Sequence, residues 1–219
     1  MGNFIIYMKN NKLAEVRFLR AEGSNYVNSW NGLKLLVLGE SHYCTPEDDC
    51  SNLSIDVMRR FVDYQAGNSE HERWMNTYTK FAKIMANVTG NNDVQRSDII
   101  SFWESVVFYN YVQTPTNGPR LSPTPDQFQK SDAAFLEVLE KYQPDLIIVW
   151  GKRLWHNLSG GEMGDQLIPD YPNDRFYNFR VGAKVIPACR ISHPSSSQFN
   201  SANYLNYLRA VVRFVQEGN

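Results

Sequence analysis

Two hydrophobic patterns take turns along this chain. The first is a short run that is apolar at nearly every position, as expected of a strand buried on both faces of a parallel sheet. Leu33-Lys34-Leu35-Leu36-Val37-Leu38 is the clearest case, and it ends abruptly in Gly39-Glu40-Ser41-His42-Tyr43. Residues 105–110, Ser-Val-Val-Phe-Tyr-Asn, form a second such run and 145–151, Asp-Leu-Ile-Ile-Val-Trp-Gly, a third. Residues 181–191 predict a last strand, with Pro187 placing it at a sheet edge, because proline cannot donate to a ladder.

The second pattern has helical spacing. Ile55, Met58, Phe61 and Val62 predict a helix with Ser54 as N-cap and Gly67 as its stop. Residues 70–88 carry Trp74, Tyr78, Phe81, Met85 and Val88 on one face, which reads as a core stripe and not a base-stacking surface. Further helices are expected over 97–103, 126–142, 152–158 and 203–216. Residues 4–8 fit a strand or a helix start equally well. Loops are expected over 45–49 and 114–125, the second flanked by Arg120 and Lys130, and an irregular stretch with a possible antiparallel excursion over 160–178.

Strands alternating with helices predict an α/β fold: a three-layer α/β/α arrangement around a mostly parallel central sheet, in a single domain over 1–219. In such sheets ligands bind at the carboxyl ends of the strands. Glu40 to Tyr43, Asn110 and His193 to Ser197 would then converge on one edge without being close in sequence. No glycine-rich dinucleotide fingerprint or phosphate loop follows the first strand, and there is no Gly-x-Ser-x-Gly elbow.

Composition narrows the partners. With 22 Lys and Arg against 23 Asp and Glu, the net charge of -1 leaves nucleic-acid binding to a local patch. The three cysteines, Cys44, Cys50 and Cys189, have no metal-site spacing, and their odd number argues for reduced thiols and no metal. Neither a leader-like amino terminus nor a membrane-length apolar run is present, so a cytoplasmic location without membrane contact is expected.

The motifs in order are Gly39-Glu40-Ser41-His42-Tyr43, Val107-Phe108-Tyr109-Asn110, Val149-Trp150-Gly151 and His193-Pro194-Ser195-Ser196. Together they resemble the uracil-DNA glycosylase superfamily, with its Gly-Gln-Asp-Pro-Tyr loop, its strands ending in Asn and in Trp-Gly, and its His-Pro-Ser-Pro loop. They span residues 33–197. The resemblance implies a DNA glycosylase that hydrolyses the N-glycosidic bond of a flipped uracil or related base. Glu40 and His193 would be the catalytic residues, with His193 donating a hydrogen bond to the departing base. Gly39, Ser41, His42, Tyr43 and Asn110 would bind the substrate, Tyr43 crowding the base's C5 edge and Asn110 reading its carbonyl and ring N–H. Ser195 and the amides around Ser196 would hold a DNA phosphate. No cofactor is implied, and the protein would act as a monomer. The chain departs from the pattern where Ser41 replaces the loop Asp, His42 replaces its Pro, and Ser196 replaces the last Pro.

The residues taken singly allow other readings. Asn110 suits a backbone cap, His193 a loop hydrogen bond, His42 a surface histidine, and Glu40 a salt bridge to Arg190 or another cation. A non-catalytic relative binding nucleic acid or a nucleobase-like molecule is the alternative function. A hydrolase of free nucleosides or another small N-glycoside is a third.

Overall fold

The computed structural model describes residue 16 and residues 20–44, 51–116, 118 and 121–218. The reading of residues 4–8 and the loop over 45–49 lie outside them. Among the described residues there are seven strands: β1 (Ala21–Glu22), β2 (Leu35–Gly39), β3 (Val106–Asn110), β4 (Leu146–Trp150), β5 (Gly161–Ile168), β6 (Tyr171–Val181) and β7 (Lys184–Ile191). The helices are α1 (Leu53–Gln65), α2 (Met75–Val88), α3 (Arg96–Glu104), α4 (Pro125–Gln129), α5 (Asp132–Tyr142), α6 (Lys152–His156) and α7 (Ser201–Gln216).

All seven strands join one mixed sheet in the order β1-β3-β2-β4-β7-β6-β5. The fold is α/β, but the sheet is less parallel than its apolar runs suggest. Only the central pairs β3–β2, β2–β4 and β4–β7 are parallel, while β1, β6 and β5 pair antiparallel. Every residue of β2, β3 and β4 is buried, because both faces of these strands are covered. Successive side chains point to opposite faces. Leu35 and Val37 meet α1, α2, α3 and α7 on one side, and Leu36 and Leu38 meet α4, α5 and α6 on the other. Full burial of each such side chain contributes roughly 1.5–3 kcal/mol relative to exposure.

On the first face the stripe on α2 does pack into the core. Phe81 and Met85 are fully buried, with Trp74, Tyr78 and Val88 against them. Around it, Phe61, Phe102, Trp103, Phe108 and Trp150 form a network of edge-to-face and tilted ring contacts.

Several expectations change in detail. Pro187 does not mark an edge, since β7 lies between β4 and β6; its pairing with β4 begins only at Ala188, one residue past the proline. The span 181–191 is not one strand, because β6 ends at Val181 and a turn at Gly182 (φ 57°) leads into β7. The helix expected over 126–142 is two. Between them Ser131 is buried, its hydroxyl donating to the Gln127 carbonyl (2.8 Å) while accepting from the Gln113 amide (2.9 Å). Asn52, not Ser54, occupies the N-cap of α1. The cysteines are not all reduced: Cys44 is disulfide-bonded, whereas Cys189 is a free, buried thiol. Among the described residues, no helix is long and apolar enough to cross a membrane.

Candidate functional site

The parallel pairing of β3, β2, β4 and β7 puts their carboxyl ends on one edge, and each end delivers a motif residue. Gly39 is in register with Asn110 across β2 and β3, and Trp150 with Ile191 across β4 and β7. The strand pair extends past its ends, since the Tyr111 amide donates to the Gly39 carbonyl (3.0 Å) and the Val112 amide to that of Glu40 (2.9 Å). The Thr116 amide then donates to the His42 carbonyl (2.9 Å).

Two clusters result, and the first is buried. Asn110 lies over Gly39 so closely that a Cβ at residue 39 would stand 2.2 Å from its Oδ1. A side chain at residue 39 would therefore push the Asn110 amide aside. The Asn110 Nδ2 is directed at the ring of His42, 3.2 Å from Nε2, and the same Nε2 is 2.9 Å from the Ser54 hydroxyl. His42 is thus not the surface residue that its loop position suggests. It is 6% exposed, and burial pushes its pKa down to about 4, so the ring is neutral at physiological pH. Asn110 Oδ1 has no hydrogen-bond partner among the described residues.

The second cluster is open. Glu40 does not reach Arg190; both its oxygens are gripped by Arg153, with Nε donating to Oε2 at 2.8 Å and Nη2 to Oε1. Arg153 also donates to Ser122, tying the loop before α4 to α6. Nearby Tyr43 is exposed, and its phenol lies within electrostatic range of both Arg153 and Tyr78. Ser41 is half-buried and its hydroxyl has no partner among the described residues.

His193 completes this cluster. Its ring packs edge-on against Trp150, with centroids 5.5 Å apart. Gly151, at φ 103°, turns the chain beneath it, in a conformation that favours glycine. The Ser195 amide donates to His193 Nδ1 (3.2 Å), and the Ser195 hydroxyl lies 2.8 Å from the same nitrogen. An acceptor at Nδ1 puts the proton of the neutral ring on Nε2. Burial lowers the pKa of His193, against an opposing pull from the Glu40 carboxylate.

The two serines expected to meet phosphate are engaged inside the loop. The Ser196 amide donates to the His193 carbonyl (2.8 Å), and the Ser196 hydroxyl accepts from the Gln198 amide (3.2 Å). Lys130, beside the loop over 114–125, is paired with Asp126 at 2.7 Å.

No profile of a known protein family matches the chain, and no curated protein aligns with it. Its chemistry is therefore read from the clusters themselves. Among the described residues, no group of three or more His, Cys, Asp or Glu side chains is placed to hold a metal ion. Sequence reasoning missed Arg153 altogether, and gave Ser54 only as a helix N-cap and Trp150 only as part of the Trp-Gly strand-end motif, without a role for either in the site. Arg153 carried a usable signal, because it follows Gly151 by two residues at a strand exit.

Proposed function

We propose that the chain is a DNA glycosylase of the uracil-DNA glycosylase superfamily, hydrolysing the bond between deoxyribose C1′ and a flipped uracil or related base. The observation that carries the reading is the neutral His193, held by its own loop with Nε2 as the N–H donor. A donor of this kind stabilises negative charge as it develops on a base oxygen. As the C1′–N bond breaks, its electron pair leaves with the base, and His193 Nε2–H donates to the base oxygen. Asn110 Oδ1 accepts from the base's ring N–H. Glu40, aligned and charge-balanced by Arg153, faces the cationic sugar and orients the attacking water. The water proton passes to solvent, leaving an abasic site and the free base.

A second reading is favoured by one specific observation. The carboxylate nearest the proposed water is already gripped by Arg153, and Ser41 stands where a loop Asp is expected. On that reading the same site binds a nucleobase without cleaving. Single-turnover base release from oligonucleotides carrying uracil, hypoxanthine or a modified cytosine separates the two. Excision predicts release that falls by 100-fold or more in His193→Ala and Asn110→Ala, a size typical of losing a transition-state hydrogen-bond donor. Tight DNA binding with no release from any substrate would establish the non-cleaving reading.

A further inference from the structure

On the other side of β7 the sheet opens. Strand β6 pairs with β7 from Val181↔Lys184 only as far as Tyr177↔Ala188, whereas β7 continues along β4 to Ile191. The amino-terminal part of β6 follows β5 instead, through a shifted register at Leu167↔Arg175. Two cavities of about 210 and 200 Å³ occupy the resulting gap and share Asp174, Arg190 and Tyr207. Neither is lined by Glu40, His42, Asn110 or His193, so they lie outside the site described above. They nevertheless open on the same sheet edge. Lys152 and Ser192, on the wall of the first, directly precede Arg153 and His193 in the chain.

The charges in this gap have no close ionic partners among the described residues, and two of them, Arg190 and Asp174, are half-buried. Lys152, Arg190 and Asp174 form no ion pair and no side-chain hydrogen bond among the described residues. Arg175, on the second cavity, meets Asp165 only at 3.9 Å. The aromatic wall, by contrast, is fixed. The Tyr204 hydroxyl accepts from the Ser192 amide (2.8 Å) and donates to the Ser192 hydroxyl (2.8 Å), while its ring stacks on Phe199. Tyr171 and Tyr207 meet edge-to-face with centroids 5.0 Å apart.

We propose that this gap is a second binding site, which takes one nucleoside monophosphate unit. Arg190 and Lys152 supply donors to phosphate oxygens. The tyrosine wall supplies a surface for the base. Asp174 decides between a bare anion and a nucleotide. A carboxylate beside the cations repels inorganic phosphate, but it accepts hydrogen bonds from an exocyclic amine or ring N–H. Only a ligand carrying both an anion and such donors satisfies all three charges. The site stands independently of base excision by the neighbouring clusters. The unit is either a free nucleotide or one residue of a DNA strand.

Calorimetric titration of the full chain tests this with the four deoxynucleoside 5′-monophosphates, the matching nucleosides, inorganic phosphate and short single-stranded trinucleotides. At least one monophosphate or trinucleotide should bind at least tenfold more tightly than its nucleoside or phosphate alone. Arg190→Gln and Lys152→Gln should each weaken that binding several-fold or more, and Asp174→Asn should change which base is preferred. Lys80→Gln, an exposed residue of α2 that lines neither cavity, should leave it unchanged. Equal affinity for monophosphate and trinucleotide identifies a free nucleotide as the ligand; binding of the trinucleotide alone identifies a strand. Absence of binding by all of these probes, or binding that Arg190→Gln and Lys152→Gln leave intact in a chain with unchanged thermal unfolding, would overturn the proposal.

Discussion

His42 and Glu40 leave the same strand two residues apart and end in opposite surroundings. The His42 side chain turns inward, loses its water and stays neutral between Asn110 and Ser54. The Glu40 side chain, 15% exposed, is held instead by a guanidinium that is 48% exposed. In the buried cluster polarity without charge is tolerated because each group has a hydrogen-bonding neighbour. In the open cluster charge is tolerated because water and a counter-ion share the work. Integrity of the fold should therefore depend mainly on the first, which also presents Asn110 to the proposed base, and ionic chemistry on the second.

The largest expected effect lies beneath both. Trp150 is 2% exposed, touches Phe81, Phe108 and Tyr78, and supports the ring of His193. Trp150→Ala should cost about 3–5 kcal/mol of unfolding free energy, as other large-to-small aromatic truncations in cores do. Trp150→Phe should cost much less. It retains most of the ring contacts and removes an indole Nε1–H that has no hydrogen-bond partner among the described residues. Urea unfolding of both variants checks this. Equal losses would mean that the indole nitrogen is in fact paired, for instance through a buried water.

Next in size is the pH dependence of the buried cluster. The His42 pKa is about 4 in the folded chain and about 6.5 when unfolded. Between those values the unfolded state binds the extra proton, so stability rises with pH and is lost as pH falls from about 6.5 towards 4. A shift of this size corresponds to about 3 kcal/mol, to order of magnitude. His42→Gln should flatten that part of the curve in urea unfolding between pH 7.5 and 4.5. The lowered pKa of His193 acts in the same direction, so the comparison belongs in a His193→Gln background. An unchanged slope would show that His42 is not buried in solution.

Gly39→Ala comes third and bears on the packing inside the buried cluster. The new methyl group would overlap Asn110 Oδ1 and force that side chain from His42. A loss of about 1–3 kcal/mol is expected for overpacking of this kind. If Asn110 reads the base, release should fall in parallel with Asn110→Ala. Stability unchanged by Gly39→Ala would mean that Asn110 is free to rotate.

The parts of this arrangement that were legible in the sequence are those that follow from local pattern. The apolar runs of β2, β3 and β4 and the stripe on α2 announce themselves, because burial on both faces leaves no polar position to confuse the period. The motif residues were also placed on one edge correctly, since parallel pairing leaves little choice. What stayed hidden depends on distant partners. Nothing near His42 in sequence says that Asn110 and Ser54 enclose it, and nothing near Glu40 selects Arg153 over Arg190. The antiparallel β5–β6 hairpin was only glimpsed, because its strands are largely exposed and carry little hydrophobic signal. The gap beside Arg190 depends on where β6 parts from β7, which no local pattern encodes.

The smallest expected effect concerns the pair at the open cluster, and it is the sharpest test of the comparison. Arg153→Ala should cost about 1 kcal/mol of unfolding free energy, because the guanidinium is 48% exposed while the Glu40 carboxylate, only 15% exposed, loses its counter-ion. Its effect on base release should be larger than its effect on stability. Without the guanidinium, Glu40 loses the two-point grip that fixes its oxygens, and a mobile carboxylate orients water poorly. A double-mutant cycle with Glu40→Gln, read both by urea unfolding and by single-turnover release, separates the two quantities. Weak coupling in stability with strong coupling in rate is the expected result. Strong coupling in stability alone would make the pair a strut between β2 and α6, and the carboxylate would then have to be sought elsewhere for any chemistry at this edge.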